Sequence, residues 1–210
     1  MNIHWLGHAC FLISSQNGTR LLTDPFNKEV GYPLPQEPAD IITVSHDHYD
    51  HNAVHLVPGQ AQVIRESGLH RVGEVIVEGV SSYHDDVQGK KRGRNIIFII
   101  TMDGIRVCHL GDLGESLGKE AIARLGGIDV LLLPVGGIYT INAKQSYRLS
   151  RDIAPRIIIP MHYKTPALSF SLEPVEAFTK QFDQVERKQD LEVTADRLPA
   201  ETRVIVLQTP

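Results

Sequence analysis

No stretch of this 210-residue chain is apolar for long enough to cross a bilayer. The longest apolar runs, at 130–134 and 157–161, fall well short of the ~20 residues a spanning helix needs. Cysteine is nearly absent. Cys10 and Cys108 form no C-x-x-C pair and are too few for a disulfide scaffold, so a reducing cytoplasm is the expected setting. Positive charge is not in surplus: the net charge is −4, which leaves nonspecific nucleic-acid binding without electrostatic support. Aromatics make up 6% of the chain and no long amphipathic segment is present, so a membrane surface is not an expected partner. The first residues carry His4 and His8 within their apolar run and no basic region before it, so no signal peptide is expected there. What remains is ordinary globular material, 42% hydrophobic and 22% charged, read as a single domain over 1–210 with its own core.

Apolar runs predict short strands at 2–6, 10–15 and 19–24, with the turn signal Asn17-Gly18 before the last. Pro25, Pro33, Pro35 and Pro38 break up residues 25–38 into an irregular loop. Its Phe26, Tyr32 and Leu34 are expected to form a wall of a substrate cleft. A strand over 39–45 and a short helix over 50–57 follow. Further on, a strand over 72–82, a hairpin over 96–112 turning at Asp103-Gly104, and strands at 129–135, 156–162 and 202–208 are expected. Helices are expected near 118–125, 143–153 and 173–182. The first half is mostly β and the second alternates, which makes this an α/β chain with helices covering sheets.

Against these absences stands one excess: Ser45-His46-Asp47-His48-Tyr49-Asp50-His51. A chain of this composition would show its H-x-H-x-D-H pattern by chance in roughly one case in seven hundred. His46 and His48 lie at the end of one expected strand, and His84, Asp112 and His162 at the ends of others. Ligands of open α/β sheets bind at such ends. Neutral imidazole and carboxylate are ligands for zinc and similar divalent ions. Two apart in an extended segment, His46 and His48 would point the same way, whereas Asp50 and His51, past the turn, would face a neighbouring position. Two half-sites argue for two ions, which together can activate water and clamp a leaving oxygen.

The runs Ser45–His51, Ser81-Ser82-Tyr83-His84, His109–Asp112 and Ile159–Tyr163, with Trp5–Phe11 and Leu22–Phe26, resemble the metallo-β-lactamase fold superfamily along the whole chain. Within it the chain looks most like the small zinc-dependent hydrolases grouped with L-ascorbate-6-phosphate lactonase, and more distantly like N-acyl-phosphatidylethanolamine phospholipase D. The resemblance implies a four-layer αβ/βα sandwich with the site along one edge. It implies His46, His48 and His84 on a first metal, Asp50, His51 and His162 on a second, and Asp112 on both. The ions would be zinc, with manganese also compatible. The implied chemistry is hydrolysis of an ester, lactone or phosphodiester by activated water, with Asp50 as catalytic proton carrier. A small anionic metabolite is the expected substrate; a phosphodiesterase acting on RNA or phospholipid is the alternative. Flavo-diiron reductases resemble a pattern with Glu where this chain has His48, and true β-lactamases commonly one with Cys where it has Asp112.

Other residues stay open. Asp24 reads either as a turn former before Pro25 or as an orienter of a ligand histidine. His8 lies either near the site or in packing. His109 and Asp47 read as local structure, His4, His55 and His70 as surface or core, and Tyr49 and Tyr163 as packing or pocket lining. The basic run Lys90, Lys91, Arg92 and Arg94 is either a solvated face or a point of anion capture beside His84.

Overall fold

In the computed structural model, which describes residues 1–209, three strands open the chain: β1 (Asn2–Gly7), β2 (Cys10–Ser14) and β3 (Arg20–Thr23). β4 (Ile41–Thr43) and β5 (Gln62–Ile64) continue in parallel beside β3. An antiparallel meander follows, of β6 (Gly68–Val72), β7 (Val75–Tyr83), β8 (Arg94–Met102) and β9 (Ile105–His109). The β8–β9 turn is Asp103-Gly104 with φ of 52° and 73°, the positive values a two-residue hairpin turn of this kind needs. Then come α1 (Lys119–Leu125), β10 (Val130–Pro134), α2 (Ala143–Ile153), β11 (Ile157–Met161) and α3 (Glu176–Thr179). β12 (Val185–Lys188), β13 (Asp190–Glu192) and β14 (Arg203–Leu207) complete the elements. They form a six-stranded sheet, β13-β1-β2-β3-β4-β5, and an eight-stranded one, β12-β14-β11-β10-β9-β8-β7-β6.

Alternation along the strands decides what each face covers. Ile3, Trp5, Phe11, Ile13 and Leu21 of the smaller sheet share one apolar cluster with Val77, Phe98, Val107 and Leu131 of the larger. The opposite face, through Cys10, Leu22 and Ile42, packs on Phe26, Val30, Tyr32, Leu168 and Leu172. On that side the outer layer of the αβ/βα sandwich is loop and 3-10 turn. α2 packs beside β10 on the larger sheet; it starts at an Asn142–Gln145 capping box and buries Ala143 and Leu149. No helix among the described residues is long and apolar enough to cross a membrane.

Several elements differ from expectation. The helix over 50–57 is only a 3-10 turn at Val54–Leu56, because the backbone of this segment is tied elsewhere, Ala53 N donating to Pro25 O at 2.8 Å. The helix over 173–182 shrinks to α3, and the strand over 39–45 ends at Thr43. β5, β6, β12 and β13 have no counterpart in the sequence pattern. Each stands at or next to a sheet edge, where one neighbour and partial exposure leave little hydrophobic period to read. Loop 25–38 is not a cleft wall: Phe26 and Tyr32 are buried under the smaller sheet, since its outer face has no helix to cover it.

Candidate metal centre

Strand ends deliver the polar cluster. β4 leads into the 45–51 loop, β7 ends at His84's neighbour, β9 is followed within three residues by Asp112, and β11 by His162. β7, β9 and β11 run in one direction, so their carboxyl ends share an edge of the larger sheet. The chain at 45–47 is bent and not extended, so the same-side argument does not join His46 to His48. The bend does, bringing their ring centroids to 4.5 Å.

His46, His48 and His84 make one group, and His8, Asp50, His51 and His162 another; within each, the ligating atoms lie within 4.8 Å of one another. Asp112 stands between the groups. Its Oδ2 is 3.3 Å from His84 Nε2, 3.1 Å from His162 Nε2 and 4.0 Å from His46 Nε2, and its Oδ1 is 3.3 Å from His51 Nε2. The seven expected residues are thus brought together. His8 joins them with Nε2 3.1 Å from Asp50 Oδ2 and its ring 4.2 Å from that of His162.

Support comes from the backs of these residues. Asp24 is both of the things its sequence allowed. It turns the chain at φ 38°, and its carboxylate accepts from Ser45 N at 2.7 Å, Ser45 Oγ at 2.5 Å and His51 Nδ1 at 2.9 Å. A carboxylate can only accept, so His51 carries a proton on Nδ1 and turns Nε2 to the cluster. Asn95 accepts from Asp112 N at 3.0 Å while donating to Ser82 Oγ and Leu110 O. Between them Gly111, at φ 54°, has no room for a side chain: a Cβ there would strike Asn95 Oδ1 and lie 2.6 Å from Ser45 Cβ. His8 and His162 also adopt left-handed backbone, at φ 53° and 52°, strain of the kind that collects at functional sites.

His46 Nε2, His51 Nε2 and Asp112 Oδ1 are buried without a hydrogen-bond partner. Buried polar atoms are nearly always satisfied, and cation ligation would satisfy these, so the donor set fits divalent metal. The protonation balance agrees. Burial holds His46 down to about 3, aided by His51, and His8 down to about 4, aided by His162. Against burial, Asp112 and Asp50 raise His51 well above its usual value, and His162 and His51 hold Asp112 far below the carboxylate range. Neutral His8 and His46 beside an ionised Asp112 are what a cation binds, and a bound ion would take the place of the proton that Asp112 and Asp50 hold on His51.

A consequence follows for the metal-free protein. His8 and His46 stay neutral when folded but take protons at about 6.5 when unfolded, so their stability contribution is whole above pH 6.5 and lost as pH falls toward 4. His51, raised, is protonated in the fold throughout, so it opposes the fall near pH 6.5 and adds no slope only once the unfolded histidine is protonated as well. Unfolding temperature measured with chelator present should therefore fall steadily over that window; a flat profile would contradict neutral His8 and His46.

The remaining candidates separate cleanly. His109 is structural, its Nε2 donating to Ala9 O at 2.8 Å, and Tyr163 is core, 5.0 Å from Trp5. Asp47 accepts from Asn52, His4 meets Asp190, His70 meets the Glu66 carbonyl, and His55 is exposed. Tyr49 lines the cavity of about 460 Å³ over the cluster, with Arg92, Tyr139 and Phe170. Tyr139 and Phe170 gave no sequence signal, being ordinary aromatics far along the chain. Of the basic run, Arg92 faces this cavity, its guanidinium 5.5 Å over the Tyr139 ring, while Lys91 pairs with Asp86 at 3.3 Å outside it.

Residues 2–162 match the family model described as a beta-lactamase superfamily domain. A UPF0173 metal-dependent hydrolase of Methanoculleus marisnigri is 34% identical over 198 residues, 82% of this chain and 86% of that one. Another, of Archaeoglobus fulgidus, is 33% identical over 196 residues, 79% of this chain and 84% of its own. A solved structure from Thermotoga maritima, a candidate zinc-dependent hydrolase of the metallo-beta-lactamase superfamily, aligns with 99% of this chain and 98% of its own at 42% identity and a TM-score of 0.83. A metallo hydrolase from Ignicoccus hospitalis shares the fold, with a TM-score of 0.68 at 18% identity over 100% of this chain and 95% of its own.

Proposed function

The chain belongs to the beta-lactamase superfamily, and from that premise we propose that it is a metal-dependent hydrolase holding two divalent ions, zinc or manganese. The observation that carries this reading is the place of Asp112, one carboxylate within 4.0 Å of imidazole nitrogens from both ligand groups. His46, His48 and His84 would hold one ion, Asp50, His51 and His162 the other, and Asp112 would touch both. When bound, such ions polarise a substrate oxygen and lower the pKa of water, which is the chemistry that cleaving an ester, lactone or phosphodiester requires.

The chain's own residues supply the rest. Asp50 is the proton carrier: its side chain reaches the cavity, and His8 contacts its Oδ2 and fixes its orientation. Asp24 holds His51 in one tautomer. Tyr49, Tyr139 and Phe170 shield the cavity, and Arg92 adds one positive charge at its wall. A cavity of about 460 Å³ with a single guanidinium suits a small anionic metabolite better than a phospholipid with its acyl chains. The two cysteines are buried and unpaired, which supports a reducing, cytoplasmic setting.

The test is chelation and back-titration against a panel of lactones, phosphodiesters and thioesters. Turnover should return in proportion to added zinc or manganese and level off near two equivalents per chain. Saturation at one equivalent would reject the paired site, and no turnover on any panel member would reject the substrate range.

A further inference from the structure

The polar cluster opens to solvent through a mouth built largely of aromatic rings. Among the described residues four large hydrophobic side chains are exposed, Tyr49, Leu69, Ile138 and Tyr139. Leu69 lies on the edge strand β6, whereas the other three stand at this mouth. Tyr49 and Tyr139 line the cavity, and Ile138 adjoins Tyr139. Phe170 completes the lining, its ring 6.1 Å from that of Tyr139. Exposed apolar surface gathered at one cavity marks a place that receives an apolar group.

Each ring is held from behind. Tyr49 stands between His48 and Asp50 in the chain, so its backbone is placed with theirs. Tyr139 follows Ile138, a β-branched residue at φ 60°, a left-handed conformation that such side chains rarely adopt. Bonds on both sides impose that strain: Gly136 N donates to His162 O at 3.0 Å, and Ile141 N to Leu113 O at 2.9 Å. Arg92 braces the same turn. Its guanidinium lies 5.5 Å over the Tyr139 ring and donates to Ile138 O at 3.4 Å, while its backbone N is bonded to the Asp85 carboxylate at 2.7 Å. The Phe170 loop is tied by Lys164 Nζ, which donates to Leu168 O and Phe170 O, and by Ser169, which donates to Val30 O and Glu29 O. The Phe170 ring meets His8 edge-on at 5.4 Å. Such bracing is ordinary for core rings, but Tyr49 and Tyr139 are 51% and 38% exposed. Rings fixed before a ligand arrives lose little freedom on binding it.

We propose that Tyr49, Tyr139 and Phe170 form an aromatic clamp, which seats a planar apolar group of the substrate beside the bond that is cleaved. A flat ring is the partner that aromatic side chains match, by offset stacking and edge-to-face contact. The cavity of about 460 Å³ limits the whole molecule to a small one. Arg92 acts through Tyr139, as its brace. The end of the substrate that faces the histidines and carboxylates can still be anionic. The substrate class, a small aryl ester or aryl lactone, rests on the hydrolase reading above; the clamp itself does not.

The two are tested apart. Naphthoate, cyclohexanecarboxylate and acetate share a carboxylate and differ in the group that the clamp would seat. Titrated calorimetrically into the protein as purified, naphthoate should bind at least tenfold more tightly than acetate, and more tightly than cyclohexanecarboxylate. Tyr49→Ala/Tyr139→Ala should lose that advantage with acetate affinity unchanged within about twofold, whereas Tyr49→Phe/Tyr139→Phe should keep it. Naphthoate no tighter than either other acid, or an equal loss of naphthoate and acetate in the alanine variant, would overturn the clamp. So would an equal loss of naphthoate in the alanine and phenylalanine variants. Dihydrocoumarin and δ-valerolactone, one lactone with and without a fused benzene ring, are then compared as substrates. Wild type should favour dihydrocoumarin at least tenfold beyond the ratio of their hydrolysis rates in buffer, and the alanine variant should lose this excess. No excess, or an excess unchanged in the variant, overturns the substrate class. Naphthoate binding without turnover of either lactone would leave the clamp standing and count against the lactone arm of the hydrolase reading.

Discussion

Asp112→Ala should lower kcat/KM by roughly 10²–10³-fold, the scale on which enzymes lose rate when a buried charge-stabilising group is removed. Four histidines, drawn from both ligand groups, face this one carboxylate. Its removal should also lower the number of ions retained after dialysis, measured by elemental analysis on the same sample. The fold should survive, since the segment is held through Asp112 N to Asn95 and through Asn95 to Leu110, contacts that the side chain does not make. The signature is therefore a nearly unchanged circular dichroism spectrum with activity lost. Turnover within about threefold of wild type, less than ~1 kcal/mol of barrier, would remove Asp112 from the site.

Asp24→Ala should differ by damaging fold and activity together. Asp24 is fully buried, and its loss leaves Ser45 N, Ser45 Oγ and His51 Nδ1 without their acceptor. Breaking a buried pair of this kind costs about 3–5 kcal/mol of stability. Activity should fall about 10–100-fold, as expected when the support behind a metal-binding histidine is lost. Burial alone would raise the Asp24 carboxyl, but its bond with His51 and the nearby His109 hold it below the usual 3.8. Its contribution is therefore present above pH 3.8 and disappears as pH falls through the lower folded value, so the gap between wild type and variant should narrow in acid. Asp24→Asn keeps the volume and tolerates the φ of 38°, but turns an N–H toward groups that are themselves donors. It should recover only part of the loss. A stability change under ~1 kcal/mol for Asp24→Ala would show that these hydrogen bonds are replaced by water.

Some elements can be read from neighbours in the chain alone. The Asp103-Gly104 turn appears as expected because its conformation depends on two adjacent residues, and α2 because Asn142 and Gln145 cap it within one turn. The helix expected from Asp50 does not form because its local preference competes with a distant bond from Ala53 to Pro25 O. Phe26 and Tyr32 suggest a cleft because apolar side chains in a loop must be covered by something. Which surface covers them depends on the sheet beneath, and no local pattern carries that.

The same division runs through the site. Ligand chemistry is already present in the chain: His46, His48, Asp50, His51, His84, Asp112 and His162 carry side chains able to ligate a divalent ion, but it is the bend at 45–47 and not the two-residue spacing that brings His46 to His48. What stands around them comes from folding. His8 meets Asp50 and His162, Asp24 meets His51, and Tyr139 faces Phe170. Each of these joins segments far apart in the chain, through the order of strands across two sheets. A ligand's identity is a property of its own side chain, but its orientation, protonation and access are fixed by neighbours that burial and sheet pairing bring from elsewhere.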